Sequence, residues 1–383
     1  MENIRKKTKP RLFPTFECFS AKLKFSVAFF LSFFLVTSGW SQTDNSFFSQ
    51  NETFAQTQEK RWELRLAQLG FFKNKEVRSN LQNGYTLPGV QCIPSMAYQL
   101  DSQVLIVAGA SFQRLFGDEK WFRAEPIIMF SYFSPLGRLN FGNLQGSLDH
   151  QLPETMMGYD QVIENRQETG IQWVGEHKRL TYDFWLDWQK AIREGDPFKE
   201  EFVAGFAGKW QMLEGPNFKV SIPGFASIFH SGGEIDQSTG TNASQYNFNT
   251  GLELDWGRFR LGALFDFYED ESTQAIDTFL DGWGQRIFVQ YCGPKIQAEL
   301  GYWDAHQFQA PQGEVMYQSL SRKWLGKTFD YRKMIWSRWT FQKPLGSHAT
   351  GLFRMSTWFD AHQAALDFSV AAYIRWNLTF GLN

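Results

Sequence analysis

Long apolar runs are what this chain most conspicuously lacks. Beyond residue 41 nothing approaches the ~20 consecutive apolar residues that a membrane-crossing helix needs. Cysteine is nearly absent, with 3 in 383 residues. Cys18 lies close to the N-terminus, and Cys92 and Cys292 are far apart, which excludes a disulfide framework and leaves open whether those two pair. There is no Gly-rich phosphate loop, no zinc spacing of Cys and His, and no nucleophile elbow. The acidic residues lack EF-hand spacing. No cofactor and no metal site is therefore expected.

Positive charge is concentrated at the N-terminus. Arg5, Lys6, Lys7, Lys9, Arg11, Lys22 and Lys24 precede an apolar run from Phe25 to Val36, and Gly39 and Ser41 supply small residues before Gln42. That pattern predicts a secretory signal peptide over residues 1–41, cleaved near Ser41. Without it the chain carries 31 basic and 38 acidic residues, a formal charge of −7. An acidic balance argues against nucleic acid as a partner.

What is plentiful is alternation. From Leu366 to Phe380 every second residue is apolar, and Asp367, Ser369, Tyr373, Arg375 and Asn377 lie between. A period of two over that length is long for a soluble strand. Residues 42–60 are polar and read as a flexible N-terminal segment. From 61 to 383 the alternation recurs in about sixteen segments, with fourteen as the alternative count. Tight connections at Asp101-Ser102, Pro135-Leu136-Gly137, Gly215-Pro216, Gly257-Arg258 and Gly293-Pro294 alternate with longer ones. Aromatic residues make up 17% of the chain, while mean hydropathy is only −0.37. Trp256 and Phe259 flank a tight turn, and Tyr182 and Trp188 end the apolar face of another segment, as interfacial aromatic belts require. The fold class expected is all-β: a transmembrane, antiparallel, up-and-down barrel.

In these features the chain resembles Gram-negative outer-membrane β-barrels of porin type, over roughly residues 61–383. Its leader, its long loops and the terminal Trp376-Asn377-Leu378-Thr379-Phe380 look like those of Bacteroidota-type bacteria. The three residues after Phe380 depart from the usual terminal aromatic. The resemblance implies an outer-membrane location, with outer-membrane lipid and, during biogenesis, the barrel-assembly machinery as partners. It also implies that the loop at about 147–166, with Asp149, His150, Glu154, Asp160 and Glu164, folds inward and sets a constriction. A solvated surface loop is the plainer reading of the same residues.

Strand parity assigns Asp183, Asp187, Glu253, Asp255, Arg260, Asp266, Arg354, Asp367, Tyr373 and Arg375 to the lumen. A wide barrel with such a lining is expected to be a passive channel for small hydrophilic solutes. The alternative is a non-channel barrel whose outer loops bind a partner in assembly, adhesion or secretion. A third reading, a lipid hydrolase, would rest on His230-Ser231. Neighbouring strand residues point to opposite faces, so adjacency alone does not bring these two together. No enzyme is expected.

Overall fold

The computed structural model describes residues 47–48, 60–164, 166–238, 242–272 and 279–382. The expected signal peptide, and most of residues 42–60, lie outside them. The strands come in chain order. The first four are β1 (Arg61–Glu76), β2 (Tyr85–Gln99), β3 (Val104–Leu115) and β4 (Arg123–Ser134). Next come β5 (Gly137–Asn143), β6 (Thr169–His177), β7 (Leu180–Lys190) and β8 (Glu200–Glu214). The third group is β9 (Phe218–Gly232), β10 (Ala243–Trp256), β11 (Phe259–Asp270) and β12 (Asp281–Cys292). The last is β13 (Ile296–His306), β14 (Tyr331–Pro344), β15 (Ala349–Asp360) and β16 (Ala365–Leu382). Each pairs antiparallel with its neighbours in sequence, and β1 pairs with β16 from Trp62–Leu382 to Glu76–Phe368. The barrel is closed, so no sheet edge is left unpaired.

The period of two becomes two faces. Along β11, Phe265 and Phe267 are exposed on the outside, whereas Arg260 and Asp266 are buried on the inside. In β16 the outward Leu366 and Ile374 alternate with buried Asp367 and Tyr373. In a membrane the outer face meets lipid, and every backbone polar group of the wall is satisfied by its neighbours.

Connections at one end are tight. At Gly257-Arg258, Gly257 has φ +59°, the left-handed backbone that a two-residue hairpin turn needs and that glycine adopts at little cost. That turn sets Trp256 opposite Phe259. At the other end, segments 144–168 and 307–330 are long. By the rule that periplasmic turns are short, the long-loop end faces outward from the cell. Cys92 on β2 and Cys292 on β12 are not joined by a disulfide.

Large inward rings sit over glycines of the next strand. A Cβ on Gly205 would fall 2.1 Å from the Trp185 ring, and one on Gly284 would fall 2.0 Å from the Trp303 ring. Missing side chains on one strand thus make room for the indoles of its neighbour, and these indoles form the wall against which the loops pack.

Candidate functional site

Segment 144–168 turns into the lumen. It carries a 3-10 turn at Ser147–His150 and a short helix at Gln161–Glu164. Leu148, Leu152, Met156 and Met157 pack on Trp185, Ala207 and Phe225 of the wall. His150 is fixed from three sides. Its Nδ1 lies 2.7 Å from Asp183 Oδ2, its Nε2 lies 2.7 Å from Glu168 Oε2, and its ring stacks on Trp185 at 3.7 Å. Burial opposes a charge on this ring. Glu168 and Asp183 outweigh that and raise its pKa to about 10, so His150 is an imidazolium that donates from both nitrogens. Glu168 is held below the usual carboxylate range: burial works against its charge, but the facing His150 prevails.

Further ion pairs tie the same segment to the wall. Lys73 reaches Asp160, which also accepts from the Tyr85 hydroxyl. Arg338 reaches Glu154 and, at 3.2 Å, Glu299. Of the five expected constriction residues, His150, Glu154 and Asp160 are buried in the lumen and Asp149 is half-buried. Glu164 lies exposed at the end of the short helix, where its backbone N–H donates to the Asp160 carbonyl at 2.8 Å and its own carbonyl accepts from Arg123 at 2.7 Å.

The expected lumen residues all face inward, and nearly all are engaged. Asp183 holds His150, Asp187 accepts from the Thr169 backbone at 2.8 Å, and Glu253 pairs with Lys209 at 2.8 Å. Asp255 pairs with Arg260 at 2.7 Å, and Asp266 accepts from Thr155 at 2.6 Å. Asp367 accepts from the Arg78 and Ser79 backbone at 2.6 and 2.9 Å. Arg354 lies 4.4 Å from the Tyr159 ring centroid. Tyr373 packs on Phe47 and Phe48, and Arg375 donates to the Phe47 carbonyl at 2.7 Å.

A second long segment, 307–330, also enters the lumen, which the sequence did not reveal. Phe308, Met316 and Tyr317 have no exposed surface and pack on Trp303, Trp336 and Trp358. Lys75 pairs with Glu314, and Arg332 binds Asp360 at 2.8 Å while donating to the Met316 carbonyl. Glu314 is held low: its burial is outweighed by the Lys75 and Lys73 ammonium groups. Its signal was the spacing of Glu314 from Lys75, too long-range to read without the fold. With both segments in place, side chains of the two loops pack against the wall in the outer part of the lumen.

The other grouping lies on the outside of the barrel. On β9, Phe225 points inward and is buried, while Ile228 points outward and is exposed. His230 shares the parity of Ile228. It sits just before the 233–242 connection, at the long-loop rim. Register pairs it with Phe202 of β8 on one side and Ser244 of β10 on the other. Its Nδ1 lies 2.9 Å from Ser244 Oγ. The Phe202 ring covers one face at 4.9 Å. Tyr246, two residues further along β10, donates its hydroxyl to Glu271 at 2.9 Å. Gly232 is what leaves room for the imidazole, since a Cβ there would lie 2.4 Å from Nε2. Ser231, the sequence neighbour, pairs instead with Ala243 and Glu201.

The Ser244 hydroxyl has His230 Nδ1 beside it. A serine hydroxyl against a neutral imidazole nitrogen is the pairing that makes a nucleophile, because the ring accepts the proton as the oxygen attacks. No carboxylate occupies this Nδ1, in contrast to His150.

The fold matches outer-membrane barrels of solved structure. A loop-deletion mutant of OmpT, an outer membrane protein of Vibrio cholerae, superposes with a TM-score of 0.52 at 11% identity, covering 82% of this chain and 99% of that one. OprD of Pseudomonas aeruginosa superposes with a TM-score of 0.50 at 8% identity, covering 88% and 99%. At such identities the likeness is one of fold. The comparison with curated protein sequences gave no match. Residues 54–383 match the family model described as lipid A 3'-O-deacylase-type. That family is one of enzymes, so the expectation of a non-catalytic barrel is overturned. The expectation failed because it looked for a nucleophile elbow or an adjacent His-Ser pair, whereas neighbours across a barrel wall need no proximity in sequence. The match spans the whole barrel, and this outer-membrane chain belongs to the lipid A 3'-O-deacylase-type family.

Proposed function

We propose that the protein hydrolyses an acyl ester of lipid in the outer leaflet, with Ser244 as nucleophile and His230 as general base. The family description points to the 3'-O-acyl chain of lipid A as the substrate. The carrying observation is the 2.9 Å contact between His230 Nδ1 and Ser244 Oγ on the outward face of the long-loop rim. Lipid A is a lipid of the outer leaflet, so a site there meets its substrate without extracting it from the membrane.

His230 Nδ1 takes the Ser244 proton as Oγ attacks the ester carbonyl carbon. The bond to the sugar oxygen breaks, and that oxygen leaves with the proton from His230. Water then adds to the acyl-serine, giving its proton to His230. The fatty acid is released and the Ser244 hydroxyl is restored. Outward Ile228 and Phe248, both exposed, continue the apolar surface below the pair, where acyl chains would lie.

Mass spectrometry of lipid A incubated with the detergent-solubilised protein tests this. The wild type is expected to release one 3'-O-linked acyl chain, Ser244→Ala none, and Ser231→Ala as much as the wild type. Full release by Ser244→Ala would sink the assignment of the nucleophile, and no release by the wild type would sink the activity. Passive diffusion of small solutes, the function expected from the lining alone, would require segments 144–168 and 307–330 to leave the lumen, against the ion pairs that hold them there.

A further inference from the structure

Part of the inward face is apolar. Phe71 of β1, Tyr373 of β16 and Leu352 of β15 stand side by side in register, across the seam where β1 and β16 close the barrel. The N-terminal segment packs on this row. Phe47 is only 3% exposed and shares one packed cluster with the three of them. Its ring lies 6.3 Å from that of Tyr373, and the Phe48 ring meets Tyr373 edge-on at 4.9 Å. Arg375, two residues further along β16, donates to the Phe47 carbonyl at 2.7 Å. The outer-rim reaction uses none of these contacts.

The segment comes to this place from the short-turn end. β1 begins there, since Arg61 pairs with Gln99 beside the Asp101-Ser102 turn. Phe47 also lines a recess of about 310 Å³ with Gln342, Ser347 and His348, around the β14–β15 turn at the same end. Phe71 stands ten positions along β1 from Arg61, about 33 Å at the rise of a strand. Twelve residues separate Phe48 from Arg61, a length that reaches at most ~43 Å. The chain is therefore long enough to enter the lumen and return to the rim.

Once inside, Phe47 and Phe48 touch more than the wall. Ile163, on the short helix of segment 144–168, belongs to the same buried cluster. The Arg354 guanidinium carbon lies 5.2 Å from the Phe48 ring centroid and 4.4 Å from that of Tyr159, so one cation joins a ring of the N-terminal segment to a ring of the inward loop. Tyr159 in turn accepts from Arg338, which holds Glu154 of the same loop. Without Phe47 and Phe48, Phe71, Leu352 and Ile163 would meet lumen water, so hydrophobic burial favours the docked segment. We propose that Phe47 and Phe48 form a strap: the N-terminal segment enters from the periplasmic end, holds segment 144–168 in the lumen and so keeps the barrel closed to solutes.

Two measurements on the full-length mature barrel test it. Chymotrypsin digestion in detergent, read by mass spectrometry, is expected to cut after Phe47 and Phe48 at least ~100-fold more slowly in the folded barrel than in the heat-unfolded chain, because cutting a docked segment requires local opening. Equal rates would overturn the docking. In planar lipid bilayers the wild type is expected to show no stepwise conductance, and the double variant Phe47→Ala, Phe48→Ala to show it. Phe48→Ala alone keeps the buried Phe47 ring and guards against a folding failure; it is expected to open less often than the double variant. Heat-modifiable migration in electrophoresis reports that each is folded. Stepwise conductance by the wild type, or silence of both folded variants, would overturn the strap.

Discussion

Two histidines of this barrel show how position decides chemistry. His150 lies inside, stacked on Trp185, with a carboxylate on each ring nitrogen. Both ring nitrogens carry protons, and the ring serves as a charged peg between segment 144–168 and the wall. His230 lies outside at the rim, half-buried under Phe202, with a serine hydroxyl on Nδ1. In the proposed reaction that nitrogen takes the serine proton. With a carboxylate on each nitrogen the side chain is a lock, and with a serine hydroxyl there instead it is, in the proposed reaction, a base.

The contrast breaks most visibly through His230→Ala. Ester hydrolysis is expected to fall by about 10³-fold or more, since removing one member of a nucleophile–base unit removes most of its effect. The barrel should fold unchanged, as judged by its heat-modifiable migration in electrophoresis. His150→Ala should do the reverse. It leaves Asp183 and Glu168 buried without their shared cation, at a cost of about 3–5 kcal/mol. The thermal unfolding midpoint in detergent reports that loss, and an unchanged midpoint would mean that the lock carries no stability.

The dependence on pH sharpens the same point. The folded His150 pKa is raised to about 10, above its unfolded value of about 6.5. The stability it contributes is therefore complete below ~6.5 and declines as pH rises, until it is gone once the ring deprotonates near 10. Wild-type unfolding temperature should fall across that window relative to His150→Ala, which lacks the term. A constant gap between the two would contradict the imidazolium. The smallest effect expected is that of Gly205→Ala. A Cβ there would sit 2.1 Å from the Trp185 ring, displacing the surface on which His150 stacks, at about 1–3 kcal/mol for overpacking. Thermal unfolding again reads it, with hydrolysis at the rim unaffected.

Much of this architecture was legible in the residues. Alternation such as Leu366-Asp367-Phe368 through Tyr373-Ile374-Arg375 assigns lumen and lipid faces, because side-chain direction along a strand has a period of two. Tight turns such as Gly257-Arg258 fix hairpin register locally. The inward course of segment 144–168 followed from resemblance to porins. That of segment 307–330 was not legible, since Lys75–Glu314 and Arg332–Asp360 are contacts the closed barrel creates across long stretches of chain. The His230–Ser244 pair was hidden for a related reason. It depends on the register of β9 against β10 across the 233–242 connection, whereas the sequence offered Ser231 as the conspicuous neighbour, on the opposite face.

The central claim is that a reactive serine stands on the outer rim beside His230. Labelling the folded, detergent-solubilised barrel with a fluorophosphonate, followed by peptide mass spectrometry, tests it directly. A single adduct on Ser244, lost in His230→Ala and kept in His150→Ala, is the predicted result. An adduct on Ser231 or another serine, or one on Ser244 that persists without His230, would contradict it.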